Sequence, residues 1–511
     1  MTPTFNLTEE PWVVCLDLDG AEQTLSLRDV LVRAHELTEI QGDPPVAAAL
    51  LRLLVAVVHR VLDGPKTMEE WAAAWRTGCL KEATVDAYLE RWKHRFDLFS
   101  STEPFFQALL PDTSQKPPAA LDPAAACGHN ATLFDHSMDG EPSAMSAAVA
   151  ARALVALQSF TAGGLLSGET GGRTSGKAGV LAGAWVYVVT GPSLFHTLLL
   201  NTPLYDPASE RPFPPEGTDA PVWERPVPAA AQTRSPAGWL DLLTYPARRV
   251  QLVAGVDRAL DAAAVSAVAL TDGDRPAESW SARGREQNLA FRETTQGWAQ
   301  RRPSEGRDLW RDADVLLRAQ PDEFARPRII EHVARLVHEG VISGELRLGL
   351  DAYALATDQA KYLYWRHQRL PLRSRLFDAS DEAQIVADAL ATAEGVAADL
   401  TLGVAELAGR PLGAGLDREE KQRRRKSVAL AMADYWAHLG SAFNRFVAEL
   451  AETGSGLESW SESVQAAARK VWQEWAASVP ESPDGFRREA VASRHYRSAI
   501  ALARSLQEGD E

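Results

Sequence analysis

The sequence predicts an α+β protein, with a large mixed α/β domain over residues 1–375 followed by a C-terminal four-helix bundle over 376–511. Three observations carry this. The chain has 511 residues, too many for one hydrophobic core, because cores stop growing near about 250–300 residues. Before about residue 376, short β-branched runs bounded by Pro and Gly mix with helical patterns. Beyond it, four long amphipathic segments, roughly 379–408, 417–452, 458–478 and 484–507, are separated by short breakers. The breakers are Gly409-Arg410-Pro411-Leu412-Gly413, Gly454-Ser455-Gly456 and Pro480-Glu481-Ser482-Pro483. Long helices joined by short loops pack as antiparallel neighbours.

Taken in order, Val13-Val14-Cys15-Leu16-Asp17-Leu18 reads as a strand, and Ser26-Leu27-Arg28-Asp29-Val30-Leu31 as a capped helix start. Residues 45–62 are nearly all apolar and predict a helix buried on most faces. Further helices are expected over 68–99, with Trp71, Trp75 and Trp92 as core anchors. Prolines 104, 111, 117, 118, 123 and 142 mark a loop-rich stretch to about residue 143, after which 143–160 is helical again. A glycine-dense segment from Gly163 to Gly183 precedes the strand Ala184–Val189. Residues 202–237 form a second proline-rich loop, 250–256 and 263–270 read as strands, and 283–318 is rich in arginine. Residues 325–370 read as helical.

Composition excludes several classes. No apolar run approaches the roughly 20 residues of a membrane helix, and the N-terminus lacks the basic and apolar regions of a secretory signal. A cytoplasmic protein is expected, with no membrane partner. Cys15, Cys79 and Cys127 are far apart, which rules out a disulfide framework and a cysteine-only zinc site. Net charge is −16, whereas a free-standing nucleic-acid binder is usually basic. An acidic chain reaches nucleic acid through local basic patches, or as one part of a larger assembly.

Gly171-Gly172-Arg173-Thr174-Ser175-Gly176-Lys177-Ala178 fits G-x-x-x-x-G-K, but Ala178 stands where a phosphate loop needs Ser or Thr to hold Mg²⁺. A helical pattern precedes it and a strand pattern follows, the reverse of the strand–loop–helix order that cradles phosphate. His129, Asp135 and His136 form a loose cluster whose spacing fits no strong zinc pattern. No cofactor and no resident metal are expected. The rival reading is a nucleotide- or metal-dependent hydrolase using the glycine-rich loop 163–179 or the His129/Asp135/His136 cluster; a third is a scaffold whose glycine loop is a linker. Glycine offers backbone without a Cβ, so 163–172 could approach a ligand or a nucleic-acid groove closely. Lys421, Arg423, Arg424, Arg425 and Lys426 put five positive charges within six residues, suited to a phosphate backbone or to a solvated helix face. Arg283 and Arg285 open a second basic stretch interleaved with Phe291, Trp298 and Trp310.

Four segments in order resemble one family. Phe5-Asn6-Leu7-Thr8-Glu9-Glu10-Pro11-Trp12 is similar to the N-terminal signature of CasA, the large subunit of the type I-E CRISPR surveillance complex, Cascade. Asn130-Ala131-Thr132-Leu133-Phe134 resembles that family's first long loop, and Gly163 to Gly172 its glycine loop. Asp358-Gln359-Ala360, followed by Leu363 and Arg366-His367, is similar to its N-Q-A segment, with Asp in place of Asn. The resemblance implies a non-catalytic subunit that reads a short motif (the PAM) beside the DNA target, while guide RNA reads the sequence by base pairing. It implies that Gly163, Gly164 and Lys177 meet the PAM duplex from the minor groove. It also implies that Gln359, between Asp358 and Ala360, wedges the first base pairs apart so that R-loop formation begins. Asn130, Thr132 and Phe134 would dock near the guide on a neighbouring subunit, and the basic run 421–426 would face DNA. The implied partners are the other Cascade subunits, guide RNA, double-stranded target DNA and a helicase–nuclease. One departure stands out: the family's minor-groove lysine has no lysine counterpart between Lys177 and Lys361, which leaves Arg283, Arg285 or Lys177 as replacements, or no such contact at all.

Overall fold

The apolar run after Asp43 forms the helix Pro44–Val61, with prolines in its first turn, where a missing N–H costs nothing. It is long and apolar enough to cross a membrane, yet 83% of it is buried in protein, as a central core helix requires. Its one buried arginine, Arg52, is neutralised by Glu286 (Nη2–Oε2 3.0 Å) and also donates to Asn288 Oδ1 at 3.1 Å. A buried charge is tolerable only with such partners. The structure is a computed structural model describing residues 3–122, 144–169, 171–205, 218–257, 262–278, 280–304, 306–317, 324–358, 361–378, 381–409 and 417–508. The chain divides into two compact units: 1–303 with 322–336 and 347–369, and 304–321 with 337–346 and 370–511.

In the first unit, the Pro44–Val61 helix packs against the helix Ala147–Phe160 and the strand Arg347–Asp358. Small antiparallel sheets surround these helices. Val13–Asp17 lies between Glu22–Leu25 and Leu37–Ile40. The long hairpin Arg248–Asp257 and Ala262–Asp272 pairs through ten residue pairs with one register shift, between Val265 and Ala267. Trp185–Thr190 pairs with Arg347–Asp358, which is flanked on its other side by Lys361–Arg373. Trp71, expected as an anchor, is fully buried and stacks on Trp75 with centroids 5.2 Å apart.

The stretch 325–370 departs from its helical reading: among its described residues only Arg328–His338 is helix, and 347–358 and 361–373 are strands. The physical reason is burial. Leu350 to Ala356 is buried at every position, so the central strand shows no period-2 alternation to distinguish it from a buried helix.

The second unit holds four long helices, Asp381–Leu407, Arg418–Thr453, Leu457–Ala477 and Pro483–Glu508, the first of which packs against each of the others. Trp460 is fully buried at their centre, donates from Nε1 to the Ala389 carbonyl at 3.1 Å, and meets Phe443, Phe446 and Trp310. Trp310 comes from the earlier segment 304–321, so chain outside 376–511 contributes to this core. Beside it, Arg311 stacks 3.5 Å over the Trp436 ring and donates from Nη2 to both carboxylate oxygens of Glu394, at 2.8 and 3.0 Å.

Candidate nucleic-acid interface

The glycine-dense segment is a β-hairpin. Gly164–Ser167 pairs with Arg173–Gly176, in register Gly164 with Gly176 and Ser167 with Arg173. Its turn needs glycine: Gly171 and Gly172 have φ of 91° and 74°, and a Cβ on Gly168 would lie 2.5 Å from the Gly171 carbonyl oxygen. At the base, a Cβ on Gly163 would lie 3.3 Å from both the Gly176 carbonyl oxygen and the Ala178 nitrogen, so a side chain there would need the opposite leg to give by a few tenths of an ångström. Lys177 is exposed beside this base.

Arg248, at the start of the long hairpin strand, fastens both legs. Its Nη1 donates to the Lys177 carbonyl at 2.7 Å and its Nη2 to the Ala162 carbonyl at 2.6 Å. The guanidinium is buried; burial pulls its pKa below the ordinary value, and Asp272 at 4.0 Å opposes that pull. Gln158 fixes the Arg248 backbone through two bonds of 2.9 Å each. Toward the hairpin's turn, Arg249 ion-pairs with Glu169 at 2.5 Å, and Ser114 donates to Ser167 Oγ at 3.0 Å. A backbone surface is thus held rigid by side chains beneath it. Sequence reasoning missed Arg248, because its partners are carbonyls, which leave no trace in residue identity.

The strands that flank Gln359 and Ala360 are bonded to both ends of this segment. Ala162 N–H donates to Tyr362 Oη at 2.9 Å, and Gly183 N–H donates to the Leu355 carbonyl at 3.1 Å. Burial pushes the Tyr362 hydroxyl above its ordinary pKa, so it stays protonated near neutrality. Gln359, Ala360 and the side chain of Asp358 lie outside the described residues, as do Asn130, Thr132, Phe134, His129, Asp135 and His136.

The other basic residues divide. Arg283 is exposed and lies 3.6 Å over the Trp298 ring, and Arg285 donates to the Ser281 carbonyl at 2.8 Å. The sheet carrying Trp298 touches the glycine segment through Gln300 Nε2, which donates to the Val180 carbonyl at 3.3 Å. In the second unit, Lys421, Arg423, Arg425 and Lys426 are exposed on the helix Arg418–Thr453. Arg424 is not: it is 7% exposed and sits 3.9 Å from the buried Glu406 carboxylate. The expected five-charge surface therefore has four members, because one position in each helical turn faces inward.

G-x-x-x-x-G-K does not form a phosphate cradle here. Its residues lie on the hairpin's turn and second strand, and the next helix begins only at Leu194. Among the described residues no group of three or more His, Cys, Asp or Glu could hold a metal ion.

Comparison with known proteins gives the family. The family model for CRISPR-associated protein Cse1 matches residues 6–479. A CRISPR-associated protein CasA/Cse1 from Thermus thermophilus is 34% identical over 486 residues, 92% of each chain. The crystal structure of Thermobifida fusca Cse1 superposes with a TM-score of 0.83 at 26% identity, covering 98% of both chains. A chain of a CRISPR RNA-guided surveillance complex shares the fold, with a TM-score of 0.74 at 23% identity over 98% of this chain and all of that one. The chain belongs to the Cse1 (CasA) family of CRISPR-associated proteins.

Proposed function

We propose that this chain is the non-catalytic DNA-recognition subunit of a CRISPR RNA-guided surveillance complex. It reads the PAM in double-stranded DNA with the glycine hairpin and starts duplex opening with Gln359. The observation that carries the reading is the pair of bonds from Ala162 and Gly183 to Tyr362 and Leu355, which tie the hairpin to both strands flanking Gln359. A groove contact and a wedge must hold a fixed spacing along the duplex, and this bonding supplies it. Gly163 and Gly164 present bare backbone, with Lys177 beside them for phosphate. Minor-groove readout is degenerate, so shape and close approach matter more there than a donor–acceptor code.

Arg283, with Arg285 next to it, takes the place of the missing minor-groove lysine; its stacking on Trp298 pre-orients the guanidinium. Asn130, Thr132 and Phe134 dock near the guide RNA on another subunit, the four exposed charges of 421–426 contact DNA backbone, and the open complex recruits a helicase–nuclease. The acidic net charge fits a subunit that meets DNA only alongside basic partners.

The test is a gel-shift titration of guide-loaded complex, with and without this chain, on duplexes differing only in the PAM. PAM-dependent binding that requires the chain is the expected result; binding indifferent to it overturns the reading. Gln359→Ala should leave assembly of the complex intact and reduce strand opening, followed by the fluorescence of a base analogue at the first target position. Equal loss of both removes the wedge role.

A further inference from the structure

The two faces of the glycine hairpin differ. Side chains alternate along a strand and residues directly opposite share a face, so the register puts Leu166 and Thr174 on one side and Leu165, Ser167, Arg173 and Ser175 on the other. The first side turns inward: a Cβ on Gly176 would lie 2.6 Å from Leu166 Cδ1 and 3.0 Å from the Arg248 guanidinium carbon. The second turns outward, with Arg173 and Ser175 exposed and Leu165 69% exposed. Lys177, one residue past the strand, continues the outward side and is exposed too.

Leu165 stands opposite Ser175, midway between Arg173 and Lys177. A single exposed leucine is ordinary on any surface. Here it is the one apolar side chain on an outward face whose ends carry cations, and neither cation has an ion-pair partner among the described residues. The hairpin's only carboxylate, Glu169, is taken by Arg249. Four residues of strand separate the cations by about 13 Å. That is enough to straddle a minor groove about 6 Å wide and reach the phosphates on both rims. The face is complementary in charge and shape to duplex DNA, with the leucine over the base edges.

We propose that Leu165 sets specificity at one base pair: it lies against the minor-groove edges and disfavours G·C beneath it, while Arg173 and Lys177 hold the flanking phosphates. In that groove G·C differs from A·T by the guanine 2-amino group, which stands up from the floor where the side chain must sit. Proteins that enter the minor groove do place apolar side chains against base steps. This role rests on the hairpin being the DNA contact.

The test uses guide-loaded complex and PAM duplexes in which inosine replaces guanine, removing the 2-amino group, or 2,6-diaminopurine replaces adenine, adding it. Both exchanges leave the major-groove edge unchanged. At one pair of the duplex the added amino group should weaken binding at least about tenfold, and its removal should strengthen binding as much. Leu165→Ala should cut that ratio to below about threefold, with the Tm unchanged because the side chain is exposed. Pairing strength also changes with the amino group, but equally for both proteins, so the difference between them reports Leu165 alone. Arg173→Gln with Lys177→Gln should weaken all duplexes alike and leave the ratio in place. No amino-group effect at any pair, or one that Leu165→Ala leaves intact, overturns the role of Leu165. Binding indifferent to the PAM as a whole, or PAM dependence that survives Gly164→Asp, overturns instead the DNA-recognition reading beneath it.

Discussion

The glycine hairpin and the basic run 421–426, both proposed to meet DNA, are opposite kinds of surface. The hairpin has bare glycines at its base and turn, with Leu165 and Arg173 exposed along its strands, and buried Arg248 and half-buried Tyr362 hold it in place. The helix run is the reverse: Lys421, Arg423, Arg425 and Lys426 are exposed. The first surface suits recognition by shape, the second a salt-dependent attraction indifferent to sequence. In both regions the buried arginines are structural: Arg248 and Arg249 against the hairpin, Arg424 in the helix run. Position relative to the fold, rather than charge, decides an arginine's role here.

The sharpest way to break the comparison is Arg248→Met. It removes charged hydrogen bonds to the Lys177, Ala162 and Ala247 carbonyls, while Asp272 keeps its ion pair with Arg275. Bonds of that kind contribute about 1.5–3 kcal/mol each, so the two that fasten the hairpin imply a loss of about 3–6 kcal/mol from the first unit. Thermal unfolding checks this, and PAM discrimination should fall with it. A variant that keeps both its Tm and its PAM preference would show that the hairpin holds itself.

Acid should separate the two units next. His59 and His332 are buried in the first unit, each with a ring nitrogen lacking a partner, and burial lowers their pKa values to about 4 and about 3. The unfolded chain takes up these protons near the ordinary value of about 6.5, whereas the folded chain resists them. The stability present above pH 6.5 therefore drains as pH falls toward 4, by on the order of 3 kcal/mol for each histidine. Calorimetry between pH 7 and 4.5 should show the first unit's transition moving down faster than that of the helical unit. Transitions that move together would mean that the two histidines are protonated without cost.

What is legible in the sequence follows the same division. The four C-terminal helices are readable because each shows a one-sided apolar stripe and a glycine or proline break. The Val13, Arg248 and Ala262 strands are readable from β-branched runs. The strand 347–358 is hidden because it is buried on both faces, and the hairpin 164–176 because glycine carries no propensity for a strand. At the site, the glycines and Lys177 can be singled out, but the residues that fix them cannot. Arg248 and Tyr362 bond to main-chain atoms far away in sequence, and a carbonyl has no letter. Arg424 reads as one of five surface charges because a run of consecutive charges conceals that helix faces differ.

That last point yields the finest discrimination. Arg424→Met leaves Glu406, only 2% exposed, as an unpaired carboxylate inside the helical unit, and removing one partner of a buried pair costs about 3 kcal/mol or more. Arg423→Met, one position along on the exposed face, should change stability by less than about 0.5 kcal/mol. Their effects on DNA should be inverted. Replacing Lys421, Arg423 and Arg425 by Gln together should leave the Tm and PAM preference unchanged. If each of the three neutralises a phosphate, the slope of log affinity against log salt should flatten by about 0.9 for every charge removed, and the weakening should be uniform across PAM sequences. Arg424→Met should leave that slope where it is. A slope unmoved by the triple variant would make 421–426 a solvated helix face and leave the hairpin as the proposed DNA contact.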